Sequence, residues 1–72
     1  MTVEVDATGA PSVVVWHGRR LTVSAIQEVW RIEDEWWREP ISRRYYLILL
    51  DGGILRTIYQ DLADGAWYEQ HG

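Results

Sequence analysis

The run Tyr45-Tyr46-Leu47-Ile48-Leu49-Leu50 constrains this chain more than any other stretch. Bounded by Arg43-Arg44 before it and by Asp51-Gly52-Gly53 after it, the run reads as a β-strand. Successive side chains of a strand point to opposite faces, so both faces of this one are apolar. A half-exposed strand would alternate with polar residues instead. This strand must therefore be covered twice, either by a barrel interior plus a flap or by a second subunit. A homodimer is one of the two ways to meet that demand.

The rest of the chain reads as a series of strands around it. Residues 1–11 end in Thr8-Gly9-Ala10-Pro11, a turn-like run, which predicts an N-terminal arm or short edge strand. Residues 12–72 then form one small β domain. Ser12-Val13-Val14-Val15-Trp16 is rich in β-branched residues, and His17-Gly18-Arg19-Arg20 has the form of a hairpin tip. Ile54 to Asp61 follows the Gly52-Gly53 turn as an antiparallel partner. Ala63-Asp64-Gly65 turns again, into Ala66-Trp67-Tyr68-Glu69-Gln70.

One segment is ambiguous. Ser24-Ala25-Ile26-Gln27 has the spacing of a capping box, and Ile26, Val29, Trp30, Glu33 and Trp37 share one helical face. As a strand, Ile26, Trp30 and Ile32 fall on one face with Glu28 intruding, and Val23, Ala25 and Val29 on the other. Weak helix formers and the acids at 33–35 favour a long bent strand from about 20 to 33, closed by Pro40. The expected fold is all-β: a small antiparallel meander of about five strands, strongly curled or closed into a partly open barrel.

With 72 residues and no cysteine, the chain has no disulfide or thiolate metal site to hold it. Packing or an oligomer interface must supply the stability. That places most of the five tryptophans in the core, Trp16, Trp30 and Trp67 first. Trp36 and Trp37 are adjacent, so an extended backbone sends them to opposite sides, one buried and one available for contact.

All seven basic residues are Arg, against 11 acids, for a net charge of −4. This balance disfavours general affinity for nucleic acid backbones or anionic membranes. An acidic N-terminus without an apolar core is no signal peptide, and no run is long enough to span a bilayer, so a cytoplasmic location is expected.

Chemistry-bearing groups are sparse. Arg19, Arg20, Arg38, Arg43 and Arg44 could converge on a phosphate or carboxylate, but ion pairs with Glu33, Asp34, Glu35 and Glu39 are the simpler expectation. Three consecutive acids diverge and lack the spacing of a metal site. His17 and His71 stand far apart, no Ser or Cys nucleophile accompanies either, and Gly52-Gly53 is turn chemistry. No catalytic residue, metal or cofactor is expected, and the chain reads as a non-enzyme.

Val15-Trp16-His17-Gly18-Arg19, Val29-Trp30-Arg31, Asp34-Glu35-Trp36-Trp37-Arg38, Arg43-x-Tyr45-Tyr46, Asp51-Gly52 and the closing Gly65-x-Trp67-Tyr68 run in an order that resembles one family of short uncharacterised bacterial proteins. Similar segments occur near the C-termini of ImuB-like, Y-family DNA polymerase-related proteins of the damage-induced mutasome. The resemblance spans about residues 12 to 70 and carries no catalytic residues. It implies a context in DNA damage tolerance and an accessory, docking role.

Two functional expectations follow. The first is an interaction module docking a protein partner, such as a replication or repair factor, through Trp36, Trp37, Arg38, Arg43 and Arg44, with Arg19 and Arg20. The second is a single-strand nucleic-acid binder that stacks bases on its aromatics. A small enzyme or ligand-binding barrel is a third and weaker reading.

Overall fold

The computed structural model describes residues 1–36 and 39–70, with the backbone alone at 36 and 39. It contains six strands: β1 (Thr2–Val5), β2 (Pro11–Trp16), β3 (Arg19–Trp36), β4 (Glu39–Leu50), β5 (Ile54–Asp61) and β6 (Trp67–Glu69). Each is hydrogen-bonded antiparallel to the next, in the order β1-β2-β3-β4-β5-β6, a meander curled into a half-barrel. The sixth strand, beyond the five expected, is the N-terminal arm, which pairs with β2 as an edge.

The turns follow from local chemistry. His17 and Gly18 both take positive φ, 47° and 77°, as a two-residue hairpin turn requires. Gly52 and Gly53 do the same between β4 and β5, where the Gly53 amide donates to the Leu50 carbonyl at 3.1 Å. The β1–β2 loop is built on Asp6, whose carboxylate accepts from the Thr8 amide (2.8 Å), the Thr8 hydroxyl (2.6 Å) and the Ala10 amide (3.1 Å). Pro40 lies inside β4 and not beyond its end. It is tolerated because β5 pairs with β4 only from Arg43 onward, leaving Pro40 on an edge where a missing N–H costs no ladder bond.

The two-faced strand behaves as its sequence demands on one side. Tyr46, Ile48 and Leu50 point inward, with Ile48 and Leu50 fully buried, and cluster with Val14 and Ile58. Val3, Trp16, Leu21, Val23, Ile54 and Trp67 pack around them, so β1 and β2 must curl over β4 and β5. Trp16 and Trp67 thus belong to the core margin, half-buried. Trp30 is half-buried as well but stands on the opposite face, beside Tyr45.

The middle of β3 departs from simple alternation. No helix forms there; the Ser24 hydroxyl donates to the Asp51 carboxylate at 2.7 Å instead of capping a turn. The register against β4 slips between Val23 and Ala25 and again between Ile26 and Glu28. Each bulge inserts an extra residue and reverses the faces downstream. Val23, Ile26 and Val29 therefore all lie on the inner face, opposite Leu50, Ile48 and Tyr46. Ala25, Glu28, Trp30 and Ile32 lie on the outer face, opposite Leu49, Leu47, Tyr45 and Arg43. The alternation expected from sequence had put Ile26 beside Trp30, and the bulges correct it.

At the other end of the sheet the Arg20 guanidinium donates to both oxygens of Glu4, at 2.6 and 3.0 Å, tying β1 to β3 across β2. That hydrogen bond holds the Glu4 carboxyl below its ordinary value, and the Thr8 hydroxyl does the same for Asp6. Depressed carboxyls contribute stability above the ordinary pKa of about 4, and lose it as pH falls through their lowered values. Acidification from neutrality to about pH 3 is therefore expected to release β1 before the core. Amide protection factors of Val3–Val5 should fall while those of Ile48 and Leu50 persist; equal loss in both would contradict this order.

Candidate functional site

Four strands place one aromatic each in the same outer row. Trp30 of β3 faces Tyr45 of β4, Tyr45 faces Tyr59 of β5, and Tyr59 faces Tyr68 of β6. Ring centroids are 5.4, 4.9 and 5.3 Å apart along the row, with interplanar angles of 9°, 34° and 26°. Such spacings are those of favourable aromatic pairs. Because neighbours stack against Tyr45 and Tyr59 on both sides, their ring faces are taken. Among the described residues the two ends of the row, Trp30 and Tyr68, have one ring neighbour each.

Arg43 lies over this row. Its guanidinium carbon is 4.8 Å from the Tyr59 ring centroid, a cation–π contact, and its terminal nitrogen reaches the Tyr45 hydroxyl at 3.5 Å. The Tyr45 hydroxyl, ahead of the charge of nearby Asp61, keeps Arg43 protonated above its ordinary pKa. Its Nε is buried without an acceptor. At the end of the row the Tyr68 hydroxyl donates to Asp64 at 3.4 Å, and the Asp64 charge raises the Tyr68 pKa.

Around the row the outer face stays apolar and open. Leu47 and Leu49 are half-buried, and Leu55, Ile32 and Tyr68 are 51%, 42% and 41% exposed. Opposite faces of the same strands thus differ sharply, since Ile48, Leu50 and Ile58 are at 0%. The chain buries one face of β4 and covers the other only in part, Tyr45 apart.

The other predicted contact residues do not gather here. Adjacent side chains of β4 diverge, so Arg43 is outside while Arg44 is opposite Arg31 on the inner face. Arg19 and Arg20 sit at the far end of β3, Arg20 held by Glu4 and Arg19 exposed opposite Trp16. Among the described residues it is Arg31, outside the predicted contact set, that pairs with an acid of the 33–35 group, at 2.6 Å from Glu33. Trp37 and Arg38, with the Trp36 side chain, lie outside the described residues, and so does the expectation that one tryptophan of the pair is buried.

The described residues also line two shallow concavities. One, of about 270 Å³, is lined by Glu33, Asp34, Glu35, Pro40, Ile41 and Ser42 along the projecting β3–β4 ribbon. The other, of about 250 Å³, is lined by Trp16, His17, Leu21, Ile54, Arg56 and Glu69. Its one acid, Glu69, faces Arg56 at 3.5 Å, so His17 meets no pair of converging carboxylates there. Among the described residues no three His, Cys, Asp or Glu side chains come together as a metal site. No described helix is long and apolar enough to cross a membrane.

The aromatic row was not read from the sequence as a unit. Its signal is one aromatic per strand at Trp30, Tyr45, Tyr59 and Tyr68, but aligning them requires the register of four strands at once.

A six-stranded antiparallel half-barrel with one closed and one open apolar face defines a small all-β module. The chain belongs to the family described as Domain of unknown function (DUF6504), whose model matches residues 1–69. No curated protein and no solved structure matches it significantly.

Proposed function

We propose that this chain is a non-catalytic docking module that binds a protein partner through the outer face of its sheet. The observation that carries the reading is the uncovered apolar surface around the Trp30–Tyr45–Tyr59–Tyr68 row, with Leu55, Ile32 and Tyr68 41–51% exposed. Aromatic residues and Arg dominate the energetics of protein interfaces, and here Arg43 is already seated on the row. Exposed apolar residues on a chain this small are costly unless something covers them. The closed faces of Tyr45 and Tyr59 favour a flat protein surface over intercalating bases, and the net charge of −4 points the same way.

The resemblance to segments of ImuB-like proteins supports a partner among DNA damage-tolerance factors. The test is an affinity screen against purified sliding clamp, recombinase and polymerase subunits, with Leu55→Asp as control. One of these is expected to bind the native chain, and Leu55→Asp to abolish binding while leaving the thermal melt unchanged. Failure of every candidate to bind, or binding indifferent to Leu55→Asp, would overturn the reading.

A further inference from the structure

β3 is flanked on both sides only in part. Arg19 to Trp16 and the three pairs up to Thr22–Val13 join it to β2, and from Val23 onward it pairs with β4 alone. Sheet order places β2 and β4 on opposite sides of β3. The edge of β3 that faces β2 at its start is consequently bare from Ile26 to Glu35, with no strand beside it among the described residues. Every second residue of an antiparallel strand turns its N–H and C=O toward that side. The remaining described edges are shorter or blocked: β1 has four residues, β6 three, β5 runs beyond β6 only over Ile54–Arg56, and the β4 edge carries Pro40.

Long bare edges invite pairing, and inert ones are usually shielded by charge, proline or bulges. This edge holds no proline, and its one register slip lies at its start, between Ile26 and Glu28; it exposes three β-branched residues: Ile26 at 37%, Val29 at 54% and Ile32 at 42%. Those are the residues a cross-strand neighbour would pack against. Its charge decides the neighbour. Between residues 28 and 35 stand Glu28, Glu33, Asp34 and Glu35 against the single Arg31, a balance of −3, and Arg31 is already bound to Glu33. A second copy would bring the same excess of acid against the first.

We propose that the bare edge of β3, Ile26–Glu35, takes an extended segment of a partner protein as an added strand. This deepens the docking reading above and rests on it. The segment is basic where it passes Glu33, Asp34 and Glu35, and apolar where it passes Ile26, Val29 and Ile32. Main-chain hydrogen bonds supply affinity and the lysines or arginines supply selectivity.

The test uses the full chain and a synthetic probe of three lysines followed by Thr-Val repeats. A second probe replaces the lysines by glutamates, and a third is N-methylated at alternate residues. Binding is read from Trp fluorescence and from the amide shifts of Ile26–Glu35. The lysine probe is expected to bind and shift those amides, the glutamate and N-methylated probes to fail. The triple variant Glu33→Gln, Asp34→Asn, Glu35→Gln should weaken the lysine probe about tenfold, the loss of three exposed charge pairs, and leave the melt unchanged.

Equal binding of the two charged probes, unimpaired binding of the N-methylated one, or no binding at all would overturn the proposal. So would self-association of the native chain through β3, which would make the occupant a second copy. The two readings fail separately. If Leu55→Asp abolishes partner capture and the triple variant leaves it intact, the edge proposal falls alone. If neither variant affects capture, the outer-face reading falls, and the probes still judge the edge.

Discussion

Replacing Ile48 by Ala is expected to remove cooperative folding at room temperature. Ile48 is fully buried at the centre of β4, between Tyr46 and Leu50 and against Val14 and Ile58. Truncating a buried Ile to Ala costs about 2–5 kcal/mol, from lost transfer energy and the cavity left behind. A core in a chain of this size supplies about 3–5 kcal/mol in all. The substitution therefore consumes most of the margin, and the cluster of five buried residues has no second layer into which it can collapse. Leu47→Ala, one residue earlier, removes a side chain of the same volume from the open face. Being half-buried, Leu47 has less contact to lose, and the variant should cost about 1 kcal/mol and stay folded. Urea denaturation of the pair measures the difference directly. Equal losses at 47 and 48 would mean that the two faces of β4 are packed alike, against the structure.

That contrast was visible in the sequence only as a demand. Six apolar residues in a row at Tyr45–Leu50 said that both faces of the strand needed cover, and the strand is where the sequence put it. Gly18, Gly52 and Gly53 marked the turns because positive φ leaves little choice of residue there. What the sequence leaves open depends on register. Nothing in Ser24 or Gln27 announces a bulge, since either residue sits as well in a regular strand. Yet the two slips beside them decide that Ile26 joins Val23 and Val29 on the inner face, and that Val29 and Trp30 meet Tyr46 and Tyr45 in place of Arg44 and Arg43. The arginines mislead for a related reason. Arg43 and Arg44 look like one basic patch in the sequence and diverge by strand geometry, while Arg20 finds its acid sixteen residues away on β1. The acids at 33–35 read as partners for arginines, which Glu33 is for Arg31, but their place beside a bare backbone edge depends on the strand order.

Tyr45→Ala is the second substitution with a large expected effect, and it separates the aromatic row from the core. Tyr45 is 7% exposed although it points away from the main cluster, because Trp30 and Tyr59 enclose it at 5.4 and 4.9 Å. Loss of a large buried aromatic costs about 3–5 kcal/mol, part of it the two ring pairs at about 0.5–1.5 kcal/mol each. The variant should melt far below the native chain, and at low temperature its Trp30 emission should shift to the red as the indole loses its stacking partner. Tyr45→Phe keeps both ring contacts and gives up only a 3.5 Å contact from Arg43, too long to carry much energy, so it should be close to neutral. Tyr68→Ala, at the exposed end of the row with one ring neighbour, should cost about 1 kcal/mol. A graded response, large at Tyr45, small at Tyr68 and absent for Tyr45→Phe, would mean that the row is a mechanical brace for the outer face. A neutral Tyr45→Ala would mean that the rings merely lie side by side. The outer face would then have no rigid centre on which a partner could gain affinity, because contact residues that must first be ordered lose much of what they contribute.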